Sequence, residues 1–157
     1  MFYDLEDYVN RIVSNSGNIG LITYNDIDLR KSLLSRFESI IENGEQYTFV
    51  QIDASIYSVE ELHEKIVLKS NLPDKDNLII AIVNADQLLP VGIGGTILNG
   101  FRERLTLFKA TIIVINESLL RPFQIAAPDL MGLIGSFFAR AGQMAEPVVL
   151  DIEDDIL

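Results

Sequence analysis

Three short and almost wholly apolar runs constrain the fold of this chain more than any other feature. They are residues 19–24, Leu78–Val83 and residues 111–115. A strand with one face in water alternates apolar and polar residues, whereas a continuous apolar run is typical of a strand buried on both faces. Residues 47–52 also have the composition of a strand. We therefore expect a parallel sheet that is covered by helices on both sides.

Amphipathic patterns predict helices between these strands. Ser58 and Glu61 form a capping-box signature at the start of one of them, and Gly44 is expected to end another. The predicted helices span residues 2–13, 28–43, 58–70, 96–108 and 118–125, and a last short strand is predicted at 148–150. Strands that alternate with helices in this rhythm predict an α/β fold, a doubly wound parallel sheet in three layers.

Length, charge and cysteine content restrict the class of protein. The 157 residues are expected to form a single domain over residues 1–150, followed by an acidic tail at 151–157. A net charge of −11 disfavours nucleic-acid and anionic-membrane partners, and no apolar run approaches the roughly 20 residues that span a bilayer. The chain has no cysteine and no signal-peptide pattern, which fits a cytoplasmic protein.

The segment after the first strand carries part of a phosphate-binding loop signature. Lys31 and Ser32 lie just inside the second predicted helix, where the pattern G-x-x-x-x-G-K-[ST] has its last two residues. In this register the two glycine positions hold Asn25 and Arg30. Glycine allows backbone N–H groups to close around phosphates, so its replacement argues against a tight nucleotide site.

The segment after the third strand lacks two acidic groups that nucleotide hydrolysis needs. It resembles the Walker B stretch of AAA+ ATPases, which usually ends in an Asp for Mg²⁺ and a Glu for the attacking water. Those positions hold Val83 and Asn84, whose side chains can do neither task. Asp86 keeps a second acid, and Asn116, at the end of the next strand, resembles the sensor-1 asparagine.

Two further signals resemble the ATPase domains of bacterial AAA+/STAND-type signalling and defence proteins. Residues 98–105 read Leu-Asn-x-x-Arg-x-x-Leu, and residues 127–130 read Ala-Pro-Asp-Leu. The resemblance covers roughly residues 18–140 and implies a P-loop NTPase-like fold. It also implies which residues would contact a nucleotide or a neighbouring subunit. They are Lys31, Ser32, Asp86 and Asn116 at the nucleotide, and Arg102 and Arg104 at a subunit interface.

The chain departs from these relatives in two further ways. They continue into a helical lid, whereas this chain ends at Leu157, too early for one. Asp26 and Asp28 lie in the phosphate loop and would repel a triphosphate. We therefore expect a catalytically inactive AAA+/STAND-like module for protein binding or assembly, with a regulatory role. It would have no catalytic residue, no metal and no cofactor beyond weakly bound ATP or ADP, and its partner would be another protein or further copies of itself.

Two alternatives stay open. In the first, the chain is a genuine ATP/ADP-binding switch or a slow ATPase that acts with a partner chain. Asp86 would then hold the metal, while Lys31, Ser32 and Asn116 contact the phosphates. In the second, the chain is a small regulator that shares only the topology and has nothing to do with nucleotides.

Overall fold

Five parallel strands form one sheet in the computed structural model, which describes residues 2–85, 99–100 and 102–144 apart from the side chain of Val59. The strand order is β2-β3-β4-β1-β5. This arrangement confirms the predicted parallel α/β fold. The strands are β1 (Asn18–Tyr24), β2 (Thr48–Asp53), β3 (Leu78–Val83), β4 (Ala110–Asn116) and β5 (Phe138–Arg140).

Helices cover both faces of the sheet. α1 and α2 pack on one face, and the other described helices pack on the opposite face. The connection from β1 to β2 runs in one direction along the sheet and the later connections run in the other, so right-handed crossovers place them on opposite faces. The helices are α1 (Leu5–Ile12), α2 (Ile27–Gly44), α3 (Val59–Ser70), α4 (Arg102–Leu105), α5 (Leu120–Ala126) and α6 (Pro128–Ile134).

The central strands supply the core to both faces. All six residues of β3 are buried. Ile80 and Ile82 pack with α3 and its neighbours, whereas Ile79 and Ala81 pack with α1 and α2. Because successive side chains of a strand point to opposite faces, a strand between two helical layers needs apolar residues at every position. The continuous apolar runs are therefore explained by the three-layer packing.

Two helix boundaries differ in detail from the sequence predictions. Gly44 is the last residue of α2, and the left-handed residue that follows is Glu45, with φ 58°. The turn before α5 is capped by Asn116, whose Oδ1 accepts a hydrogen bond from the Ser118 backbone N–H at 3.0 Å. Ser118, the first residue of the helix predicted over 118–125, therefore lies inside the turn that Asn116 caps. The cause is the end of β4, which leaves Asn116 in the extended conformation that a cap requires.

The fifth strand was not predicted. β5 has only three residues, and only the middle one is buried, so it carries no readable apolar pattern. The strand predicted at residues 148–150 lies outside the described residues, as do residues 96–98 of the predicted helix 96–108. The described part of that helix is helical at 99–100 and over α4 and ends at Leu105.

α1 packs closely against β1 at Gly20. The buried Tyr8 ring lies over Gly20, and its hydroxyl donates a 2.8 Å hydrogen bond to the Phe137 carbonyl. A Cβ at Gly20 would overlap this hydroxyl and lie 2.7 Å from Ile12 Cδ1. Burial raises the pKa of Tyr8, which keeps the hydroxyl protonated and able to donate.

We expect Gly20→Ala to lower the free energy of unfolding by about 1–3 kcal/mol, because α1 must move away from β1 to make room for a methyl group. The matched control is Gly132→Ala in α6, where a Cβ meets nothing within 4 Å. That change should leave stability equal or raise it by about 0.5–1 kcal/mol. Chemical denaturation measures both, and equal effects at the two glycines would contradict the close approach.

Candidate functional site

α2 begins inside the segment that the P-loop register assigns to the phosphate-binding loop. Only Asn25 and Asp26 separate β1 from α2, so residues 27–30, which the P-loop register places in the loop, form the first turn of the helix. Asp26 Oδ1 accepts hydrogen bonds from the backbone N–H groups of Asp28 (2.7 Å) and Leu29 (3.4 Å). Free N–H groups at a helix start are what makes it an anion site. Here a carboxylate of the same chain takes two of them.

The cation that turns toward the sheet is Arg30. Lys31 and Ser32 are exposed on α2. The Arg30 side chain is half-buried, and its Nη1 donates a hydrogen bond to Asn84 Oδ1. Its guanidinium carbon lies 5.6 Å from the centroid of the Tyr24 ring, within the range of a cation–π contact. Arg30, which stands at the second glycine position of the P-loop pattern, therefore points to the edge of the sheet.

Arg30 belongs to a network that joins the ends of three strands. Asn84 Nδ2 donates to Asp53 Oδ1 at 3.0 Å, and the backbone N–H and hydroxyl of Ser55 donate to the same oxygen at 2.9 and 2.6 Å. The hydrogen bonds from Ser55 and Asn84 hold the pKa of Asp53 below its usual value, and the Arg30 charge adds to this. Asn84 has φ 58°, a left-handed conformation that Asn tolerates better than most residues. Through its hydrogen bonds with Arg30 and Asp53, Asn84 connects α2 to the ends of β2 and β3.

A second network joins the other strand ends. Thr23 Oγ1 donates to Glu117 Oε1 at 2.5 Å, and Arg140 Nε and Nη2 donate to the two Glu117 oxygens at 3.1 and 3.3 Å. Burial alone would raise the pKa of Glu117, but the hydrogen bonds from Thr23 and Arg140 outweigh it, and the pKa is lowered. Glu117 stays ionised and links β1, β4 and β5.

This second network lies where doubly wound sheets bind ligands. The connections that leave β1 and β4 run in opposite directions, so a crevice opens between the ends of these two strands. A cavity of about 330 Å³ opens there, at the small end of the range for ligand sites. An anion in it would meet the carboxylate of Glu117. The lining residues are Thr23, Tyr24, Asn25, Glu117, Arg140, Gly142 and Gln143.

The predicted nucleotide residues are not all brought together. Lys31 and Ser32 are exposed, and Asn116 ends β4 and caps the following turn with its side chain. Asp86 lies outside the described residues. The assignment of these four residues to a nucleotide stays a prediction.

The two sequence signals of the AAA+/STAND resemblance meet in the structure. Asn99 Oδ1 accepts a 2.8 Å hydrogen bond from the Leu130 N–H, and Asn99 Nδ2 lies 3.4 Å from Asp129 Oδ2. Arg102 donates to the Asn99 carbonyl at 2.8 Å and lies 4.0 Å from Asp129. The Leu-Asn-x-x-Arg segment therefore holds the start of α6, a contact that sequence reasoning missed.

Arg104 also has a contact within the chain. Its Nη1 lies 3.3 Å from the Ser70 hydroxyl at the end of α3. A role for Arg102 and Arg104 at a subunit interface stays a prediction. Across the described ranges, no group of three or more His, Asp or Glu side chains could hold a metal ion. No helix in the described part of the chain is both long and apolar enough to cross a bilayer.

Comparison with known proteins supports the fold. The crystal structure of Cdc6p from Pyrobaculum aerophilum superposes with a TM-score of 0.50 at 11% sequence identity, over 86% of this chain and 43% of that one. The chain thus spans less than half the length of that protein. No protein-family profile matches the sequence, and no curated protein does either. At this identity the likeness concerns the fold alone, and it confirms the predicted P-loop NTPase-like α/β fold.

We expect Asp26→Ala to lower the free energy of unfolding by about 1 kcal/mol, within the range of about 0.5–2 kcal/mol for helix caps, because it leaves two N–H groups without their acceptor. Asp28→Ala is the matched control, since it removes the same charge two residues away without removing the cap. Its cost should be no more than about 0.3–1 kcal/mol, from the helix dipole. Urea denaturation compares the two, and a larger loss for Asp28→Ala would contradict the capping role.

We expect Glu117→Gln to reduce stability at neutral pH and to flatten its pH dependence. The pKa of Glu117 is lower in the folded chain than its ordinary value of 4.5. Ionised Glu117 therefore stabilises the folded state above pH 4.5, and this stabilisation is lost as the pH falls through the folded-state pKa. The difference from the native chain should stay below about 1 kcal/mol because the network is partly exposed, and should vanish once the pH lies below the folded-state pKa of Glu117. Glu103→Gln, on the exposed side of α4, is the control. A Glu117→Gln deficit that is constant with pH would contradict the network.

Proposed function

We propose that this chain is a binding or assembly module that keeps a P-loop NTPase-like scaffold but does not hydrolyse nucleotide. The observation that carries the proposal is the position of the Asp26 carboxylate on the N–H groups of Asp28 and Leu29. A phosphate placed there would have to displace a negatively charged group that is part of the chain. It would also meet a helix turn where a P-loop wraps around its ligand.

The groups at the catalytic positions support the same proposal. Val83, in the register of the magnesium Asp, is buried and has no oxygen to hold a metal-bound water. Asn84, in the register of the catalytic Glu, is an amide and cannot act as a base. Both polar atoms of the Asn84 side chain form hydrogen bonds, Oδ1 with Arg30 and Nδ2 with Asp53. At these two positions this chain has a core residue and an amide whose hydrogen bonds connect structural elements.

A protein partner fits the remaining surface better than a nucleic acid does. The net charge of −11 opposes the phosphate backbone, which supplies most non-specific nucleic-acid affinity. An AAA+/STAND-like domain without turnover would act in regulation or assembly, through contacts with another protein or with further copies of this chain. The proposal places it in the cytoplasm, which suits a sequence without cysteine.

Two observations favour the alternative, a nucleotide-binding switch. Arg30 Nε is buried and has no hydrogen-bond partner among the described residues. A buried donor without a partner costs stability, and a ligand oxygen could satisfy it. The cavity of about 330 Å³ at the end of β1 offers room for part of a ligand. Both features make nucleotide binding the alternative to test first.

We expect no rise in melting temperature with millimolar Mg·ATP or Mg·ADP and no phosphate release above a protein-free control. A ligand that binds only the folded state must raise the melting temperature once its concentration exceeds Kd. Turnover, or a rise that disappears in Lys31→Ala and persists in the control Lys69→Ala, would contradict the proposal. It would establish the nucleotide-binding alternative with Lys31 at the phosphates.

A further inference from the structure

We propose that the outer edge of β2 binds an extended segment of a partner protein that carries lysine or arginine, which adds to the sheet as a further strand. This inference rests on the proposed role as a protein-binding module and names the surface and the kind of partner. It depends on three features of the described residues, which are an unpaired strand edge and two glutamate-lined rims beside it.

β2 is an edge strand with little protection. All six of its residues pair with β3 on one side, and no strand among the described residues pairs with the other side. Residues 48–52 read Thr-Phe-Val-Gln-Ile, without a charge or a proline. Proteins commonly protect exposed edges with charged residues, proline or bulges, because unpaired N–H and C=O groups recruit other strands. This edge therefore offers backbone hydrogen bonds to a strand from outside.

α3 provides one rim of this edge. Ser70 is the point where α3 contacts Arg104 of α4, which leads to the central strand β4. The side of α3 opposite Ser70 faces the β2 edge of the sheet. On this side of the helix lie Glu61, Lys65 and Leu68. They line a shallow groove of about 220 Å³ together with Tyr57 and Glu64. Leu68 is 60% exposed, so the groove has apolar surface as well as charge.

α2 provides the rim on the opposite face. Phe37 of α2 stacks on Phe49 of β2 with ring centroids 6.0 Å apart, which places the helix over the edge strand. Leu29 faces Gly142, next to β5. Glu38 follows Leu29 by nine residues, or two and a half turns, and so lies on the opposite side of the helix, toward the β2 edge. One turn further on that side is Glu42, and both glutamates are exposed.

The charge of the rims selects the partner. An added strand lies between Glu38 and Glu42 of α2 and the α3 rim, where Glu61 and Glu64 are accompanied by Lys65. The four glutamates outnumber the one lysine, so lysine or arginine side chains on the added strand gain net attraction. Pairing between two copies of this chain through β2 would instead bring like-charged rims together, which is unfavourable. The partner segment therefore carries positive charge, with apolar residues between the charges that contact Leu68 and the 67%-exposed Ile56.

The experiment uses the whole chain and three fluorescent peptides of about ten residues, long enough to span β2. One repeats Lys-Lys-Val-Val, the second repeats Glu-Glu-Val-Val, and the third has the Lys pattern with a central proline that removes a backbone donor. The paired repeat presents both residue types to both rims, because successive side chains of a strand point to opposite faces. At about 0.15 M salt, where surface charges are well screened, the Lys peptide should bind at least about tenfold more tightly than either other peptide. It should also slow amide hydrogen exchange at residues 48–52.

Two charge-reversed variants with equal net charge locate the surface. Glu42→Lys with Glu64→Lys alters both rims, whereas Glu6→Lys with Glu103→Lys alters exposed residues of α1 and α4. The rim variant should lose Lys-peptide affinity by about tenfold and the control by less than about twofold. Circular dichroism and melting temperature check that both variants are folded.

Four results would overturn the inference. Slow exchange in the chain alone, equal to that of β3, at those amides of residues 48–52 that point away from β3 would show that another part of the chain covers the edge. Concentration-dependent dimers that protect these amides would make a second copy the occupant. Equal binding of the proline peptide, or equal losses in the two variants, would indicate unspecific charge attraction. All of these results are independent of the nucleotide assays, so this inference can fail while the proposed function holds.

Discussion

The hydrogen bonds from the Asp28 and Leu29 N–H groups to the Asp26 carboxylate determine how the carboxyl edge of this sheet is built. Only two residues separate α2 from β1. The Asp26 carboxylate satisfies the N–H groups of Asp28 and Leu29 and places a negative charge at the positive end of the helix dipole. Residues that would otherwise surround a phosphate are folded into the first helical turn. Arg30 is carried by that turn to the sheet edge, where it reaches Asn84.

Two side-chain networks then connect all five strands at the edge where folds of this type bind their ligands. Arg30, Asn84 and Asp53 join the ends of β1, β3 and β2 through α2, and Thr23, Glu117 and Arg140 join β1, β4 and β5. In a nucleotide hydrolase this edge is kept open for phosphate, metal and water. Here its polar groups bond mainly to one another, although Arg30 Nε has no hydrogen-bond partner among the described residues. Under the proposed function this edge serves as a scaffold, and contacts with partners lie elsewhere on the surface.

Strands β1, β3 and β4 were predictable because burial on both faces demands apolar residues at every position. The missing glycines, and the Val83 and Asn84 substitutions, were readable because a motif fixes the spacing. β5 and the two networks were not, since three residues carry no period and the Thr23–Glu117 bond joins residues 94 positions apart. One signal was available: the polar residues Asp53, Asn84 and Glu117 each end or directly follow a strand whose existence was predicted. The P-loop pattern indicated Lys31 as the cation of the site, whereas it is the neighbouring Arg30 that contacts Asn84 at the sheet edge.

Backbone amide NMR of the chain during titration with Mg·ATP tests the occupied helix start most directly, because it reports on the two N–H groups concerned. With the Asp26 carboxylate in place, we expect the Asp28 and Leu29 amide resonances to stay unchanged up to millimolar nucleotide. Saturable shifts of these two resonances, with loss of their hydrogen bonds to Asp26, would contradict the central claim. They would mean that the start of α2 still accepts a phosphate.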